Sequence, residues 1–175
     1  NNTLAPGPDR FVAPWARSRT AGAADGGAKF DLDTWDDAYF RRLEEFCSQA
    51  SLAGIVVEFV LFCPFYEDGM WDVSPLNARN NVNGVGDMPR TDVYTLKHRE
   101  MVARHEAFVH RVVAALRPFD NVYYEICNEP YFGGVTPEWQ ARIAATIAAA
   151  EPAPGPKHLI AQNIANGKAR IERPD

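Results

Sequence analysis

Two stretches of this chain leave few conformations open. Ile55–Cys63 (Ile-Val-Val-Glu-Phe-Val-Leu-Phe-Cys) and Asn121–Cys127 (Asn-Val-Tyr-Tyr-Glu-Ile-Cys) are short, nearly continuous runs of β-branched and aromatic residues. Runs of that kind predict strands covered on both faces, as parallel strands are; Pro64 ends the first, and Asn128-Glu129-Pro130 ends the second. Between them Leu96, Val102, His105, Phe108, Val109, Val112, Val113 and Leu116 keep to one stripe, predicting a helix over 92–116. Ahead of the first run, Asp33 offers an N-cap, and Trp35, Tyr39, Phe40, Leu43, Phe46 and Cys47 recur at helical spacing to about Ala53, where Gly54 is the natural stop. Past the second run, Thr136 as cap and Pro137 at the first helical position start a helix through Trp139, Ile143 and Ile147 to about Glu151. Pro152, Pro154 and Pro156 terminate it, and His158–Ile164 is a third, short strand candidate. Helices alternating with buried strands imply crossovers and a parallel sheet, either doubly wound or rolled into a (β/α)₈ barrel.

The remainder reads as loop. Residues 1–29 carry Pro6, Pro8 and Pro14 and the Gly22–Gly27 stretch, and residues 66–90 carry Glu67, Asp68, Trp71 and the asparagines Asn77, Asn80, Asn81 and Asn83. Loops this long in a compact domain are usually functional. Composition narrows the function. Four Trp, six Tyr and ten Phe in 175 residues supply the buriable surface of a packed domain. A formal net charge of −5, with no Lys/Arg run, lacks the positive footprint that duplex binding requires. The most apolar run contains Glu58 and is too short to span a bilayer, and residues 1–10 do not resemble a signal peptide. Cys47, Cys63 and Cys127 have neither CxxC nor CxxH spacing, so buried free thiols are expected.

No glycine fingerprint follows a strand, neither GxGxxG nor GxxxxGK[ST], so a nucleotide fold has little support. His98, His105 and His110 share a predicted helix, but His105 and His110 are five apart, not four, and cannot converge on a metal. His105 is expected in the core. Ser51 and Ser74 sit in no GxSxG elbow. One motif stands apart: Glu129 lies at the carboxyl end of a buried strand, the edge of an α/β sheet where catalytic residues collect. It is flanked by Asn128, an amide suited to a sugar hydroxyl, and followed after Pro130 by Tyr131 and Phe132, which can stack on a sugar ring.

Through Tyr124-Glu125-Ile126-Cys127-Asn128-Glu129-Pro130 the chain resembles the cellulase-like (β/α)₈ glycoside hydrolases of clan A. Phe30-Asp31-Leu32-Asp33, Gly54-Ile55-Val56-Val57 and the Asn-rich loop extend the similarity over nearly the whole chain. The resemblance implies that Glu129 is the acid/base at the end of the fourth barrel strand and Asn128 the contact to the sugar's 2-hydroxyl. It implies an oligo- or polysaccharide substrate, no metal or organic cofactor, and a secreted or periplasmic enzyme. The family's nucleophile is a second glutamate at the end of the seventh strand, and no Glu after Glu129 is placed to serve, since Glu151 lies at a helix end and Glu172 in a tail. Residues 1–175 are therefore expected to form a single partial barrel domain, the third to fifth strands of eight with their helices. In that frame residues 1–29 follow the second strand, and a piece with open edges is expected to aggregate or stay molten alone.

Trp15, Arg17, Tyr66, Trp71, Asn80 and Asn81 lie in loops expected at the rim of such a site, where aromatic faces and amides bind sugars; packing of the loops on each other is the competing reading. Glu125 shares strand parity with Glu129 and should point inward, where it needs a partner; Glu58 is similarly a buried strand carboxylate. Glu67 and Asp68 are solvated unless substrate reaches them. Two functions stand: a retaining glycoside hydrolase working on a β-linked glycan, or a non-catalytic carbohydrate-binding or scaffold α/β domain.

Overall fold

A computed structural model describes residues 12–151 and 157–163. The architecture is mixed α/β, with a two-stranded antiparallel sheet and a three-stranded parallel one. Strands β1 (Trp15–Ala21) and β2 (Ala28–Trp35) form the hairpin. The sequence reading treated residues 1–29 as loop, and from Trp15 onward the structure corrects it; residues 1–11 lie outside the described residues. Gly22 and Gly26, at φ 103° and 85°, supply the turn that lets the chain double back. Trp15 is buried and stacks on Trp35 with centroids 6.1 Å apart. Arg17 lies 3.7 Å over the Phe30 ring, pairs with Asp25 and donates to the Ala28 carbonyl. These two residues hold the hairpin together.

Helix α1 (Asp37–Leu52) therefore begins later than expected. Asp36, not Asp33, is its cap, accepting from the Ala38 amide at 2.8 Å. Phe40, Cys47 and Ala50 are buried, whereas Phe46 is 61% exposed. Strand β3 (Val57–Phe62) pairs in parallel with β4 (Val122–Cys127), which pairs in parallel with β5 (Ile160–Ala161). Central β4 is buried almost throughout, as the apolar run predicted. In β3 only Leu61 and Phe62 are buried; Glu58 and Val60 are exposed, as are Ile55 and Val56 ahead of it. The expectation of two covered faces fails for β3, whose Glu58 and Val60 stand exposed on a face that no other described residue covers. β5 is shorter than 158–164, and Ile164 lies outside the described residues.

A short helix α2 (Asp68–Asp72) and two 3₁₀ turns break up the 66–92 loop. Helix α3 (Arg99–Leu116) starts seven residues past Asp92, since Thr95 turns back to accept the Lys97 amide and donate to the Asp92 carbonyl; Leu96 is thereby left exposed. From His105 onward the expected stripe is buried; Val102 is only half-buried, and Met101, outside the expected stripe, is buried in its place. Helix α4 (Pro137–Ala150) matches the reading: Thr136 Oγ1 accepts from the Trp139 amide, and Trp139, Ile143 and Ile147 are buried. Phe62, at the end of β3, packs edge-on against Tyr94, His105, Phe108 and Trp139, so one side chain joins β3 to α3 and α4. Each such fully buried apolar side chain contributes roughly 1.5–3 kcal/mol. That packing fixes the carboxyl ends of β3 and β4 side by side.

Candidate functional site

β3 and β4 run in parallel with Phe62 opposite Cys127, so the residues that leave each strand emerge together at one edge. The Asn128 amide donates to the Phe62 carbonyl at 2.9 Å and carries the ladder one residue further. The backbone then bends sharply. Glu129 has φ 41°, and it is the sole non-glycine residue at positive φ among the described residues. The left-handed region is costly for a residue bearing a Cβ, and the ring of Pro130 further restricts the residue before it. Such strain persists only where the surroundings impose it.

The surroundings are visible. The Phe132 amide donates back to the Glu129 carbonyl at 3.1 Å, and the Thr136 amide to the Tyr94 carbonyl at 3.1 Å. Gly134, at φ 80°, lies so close to the chain at Thr91 that an added Cβ would stand 2.3 Å from the Thr91 carbonyl oxygen. Across the edge Pro64 turns the chain out of β3, and Arg90 donates to the Phe65 carbonyl at 2.7 Å and to Asp68 at 2.9 Å. The two loops are thus pinned independently and meet over Glu129.

Tyr66 donates its hydroxyl to Glu129 Oε2 at 2.6 Å, and Tyr131 donates to Oε1 at 3.0 Å. Asn128 Nδ2 donates to the Tyr66 oxygen at 3.1 Å, and Cys63 Sγ lies 3.4 Å from that oxygen. Hydrogen bonding to Cys63, and next to Glu129, holds the Tyr66 phenol above the usual tyrosine range; desolvation, then the Glu129 bond, moves Tyr131 the same way. Both phenols therefore remain donors at neutral pH. Phe132 is 47% exposed and meets edge-on, at 5.6 Å, the same Tyr66 that bonds the carboxylate. Glu129 and Asn128 are half-buried and Tyr66 is exposed, so the carboxylate is supported from inside and open outward.

Of the predicted site residues, the structure brings together Glu129, Asn128, Tyr66 and Tyr131. It engages the others elsewhere. Trp71 is buried, its indole donating to the Met88 carbonyl at 3.0 Å and its ring packed on Phe65. Asn80 donates to the carbonyls of Asp72 and Ser74, both at 2.8 Å, and accepts from the Ala24 amide. Asn81 donates to the carbonyls of Asn77 and Val85 at 2.9 Å. Both amides are buried and spent on loop backbone, which corrects their expected place on an open rim. Trp15 and Arg17 belong to the hairpin. Glu67 is exposed, Asp68 pairs with Arg90, and Glu151 ends α4 bonded to His158; Glu172 lies outside the described residues.

Cys63 was expected to be a buried thiol and is exposed, whereas Cys47 and Cys127 are buried; burial pushes Cys127 up to about 12. Sequence reasoning missed Cys63, although its place directly after the last buried residue of β3 was a usable signal. Glu125 is 9% exposed, with Oε1 buried and without a partner among the described residues. Burial, then Glu58 on the neighbouring strand, raises its carboxyl. Comparison with protein-family models, with curated proteins and with solved structures finds no match to this chain.

Proposed function

We propose that this chain is part of the catalytic domain of a retaining glycoside hydrolase acting on a β-linked glycan, with Glu129 as the acid/base. In this reading β3, β4 and β5 are the third to fifth strands of a (β/α)₈ barrel, and the exposed face of β3 with Glu58 and Val60 belongs to the barrel interior. The observation that carries the reading is the placement of Glu129. A half-exposed carboxylate in a strained backbone conformation stands at the carboxyl end of the central parallel strand, next in sequence to an amide and bonded by the hydroxyls of Tyr66 and Tyr131.

The chemistry follows from that placement. Glu129 protonates the glycosidic oxygen as the leaving group departs, while a second carboxylate, outside this chain and about 5–5.5 Å from Glu129, attacks the anomeric carbon. Glu129 then removes a proton from the water that hydrolyses the glycosyl-enzyme. Asn128 contacts the 2-hydroxyl, and Phe132 with Tyr131 offers the sugar ring a stacking surface. The two-carboxylate mechanism itself calls for no metal or organic cofactor.

Glu129→Gln in the full-length protein tests this. Hydrolysis of an aryl β-glycoside whose leaving group needs protonation is expected to fall by about 10²-fold or more, and wild-type turnover would overturn the assignment. A second reading, a carbohydrate-binding or scaffold domain, draws on one observation: both oxygens of Glu129 are already bonded within the chain. Calorimetric binding of an oligosaccharide, with no sugar released by the full-length protein, would favour it.

A further inference from the structure

We propose that Tyr66 is a positioning residue, whose hydroxyl joins the Glu129 carboxylate to the Asn128 amide and so sets where the acid/base proton is delivered. The inference rests on the reading of Glu129 as the acid/base. A tyrosine hydroxyl has one proton and two lone pairs. In Tyr66 the proton goes to Glu129 Oε2 at 2.6 Å, an oxygen that accepts both when Glu129 is ionised and when its acid proton sits on Oε1. The oxygen must then accept from Asn128 Nδ2 at 3.1 Å, and the Cys63 thiol at 3.4 Å can meet it only as a donor. Every hydrogen-bonding capacity of the hydroxyl is used inside the protein. None is left for a sugar, so Tyr66 acts through Glu129 rather than on substrate.

The restraint is needed because the backbone does not supply it. Glu129 occupies the left-handed region ahead of a proline, where intrinsic preference does not hold the chain. Tyr131 also bonds the carboxylate, but it lies two residues away on the same loop and moves with it. Tyr66 is 63 residues distant in sequence and leaves the end of β3, so its bond references the carboxylate to a second strand. Asn128 is tied to the same oxygen, which couples the 2-hydroxyl contact to the position of the acid.

The test compares Tyr66→Phe and Glu129→Gln in the full-length protein on two β-glycosides of one sugar. One carries 2,4-dinitrophenol, which departs without protonation, and the other carries phenol, which needs it. Tyr66→Phe keeps the ring against Phe132 at a position already 38% exposed, so folding is retained, and an unchanged thermal midpoint verifies this. The expected result is a fall of about 10- to 100-fold in kcat/KM, which reports formation of the glycosyl-enzyme, on the phenyl glycoside. For the dinitrophenyl glycoside kcat/KM should stay within about threefold, because its leaving group departs without a proton from Glu129, while turnover of both substrates still needs Glu129 as the base in the second step. Equal losses on both substrates, or none on either, would overturn the positioning role while Glu129→Gln still shows the selective loss. Absence of a selective loss in Glu129→Gln would bring down the acid/base reading, and the role of Tyr66 with it.

Discussion

His105 sits on α3 with its Nδ1 accepting from the Trp139 indole at 3.1 Å, while Nε2 is buried without a partner among the described residues. An indole N–H can only donate, so the bond fixes the neutral tautomer with its proton on Nε2. Full burial pulls the imidazole down to about 3 from its usual 6.5. The unfolded chain takes up a proton below about 6.5 and the native state does not. His105 therefore contributes stability that is present above that pH and lost as pH falls toward 3. Urea unfolding at a series of pH values should show stability declining across this window, with at most roughly 1.4 kcal/mol per pH unit from this residue. His105→Leu should begin less stable at pH 7, since the indole loses its acceptor, and lack that share of the slope. A core place for His105 was legible from helical spacing, but its tautomer was not, because Trp139 lies 34 residues away. The same division holds at Glu129, whose importance the tripeptide signals and whose two tyrosine partners it does not.

Elements differ in how far their residues announce them. α4 carries its own cap and first-turn proline, and β4 is apolar throughout, so local chemistry settles both. The hairpin is another matter: Ala-Arg-Ser-Arg-Thr has no alternation that marks a strand, and it is ordered by Trp15 on Trp35 and Arg17 over Phe30, contacts made across the turn. The asparagine-rich loop illustrates a second difficulty. Amides that recognise sugar hydroxyls are the same groups that satisfy buried carbonyls, and only the fold decides which they meet. Asn80→Ala and Asn81→Ala should each cost about 1–3 kcal/mol by denaturant unfolding, because carbonyls are left buried and unpaired. KM for aryl glycosides should stay unchanged in both; a raised KM at unchanged stability would place these amides on the substrate instead. Gly134→Ala should cost more than about 1 kcal/mol of stability and loosen the Glu129 loop, since the new Cβ meets Thr91 and the residue must keep φ near 80°.

At the scale of the whole molecule the parallel sheet is covered unevenly. Ile55 and Val56 just ahead of β3 and Val60 within it are exposed, and Leu159, at 77%, stands next to β5. One edge of β3 has no strand partner among the described residues and lies beside this apolar surface, a combination that favours association. The 175-residue chain should accordingly scatter light increasingly with concentration and bind a hydrophobic dye, and Val60→Lys should reduce both. A monomeric, dye-silent chain would contradict this. The distribution of apolar residues by itself determined the alternation of helix and strand, the buried course of β4 and the position of Glu129 at its carboxyl end, because periodicity and caps act over a few residues. The tertiary structure alone decided that β3 keeps an open face, that Trp71, Asn80 and Asn81 turn inward, and that Tyr66 and Tyr131 close on the carboxylate. Those outcomes depend on contacts between residues far apart in the chain, and they exist only once Phe62 has locked β3 and β4 against the helices.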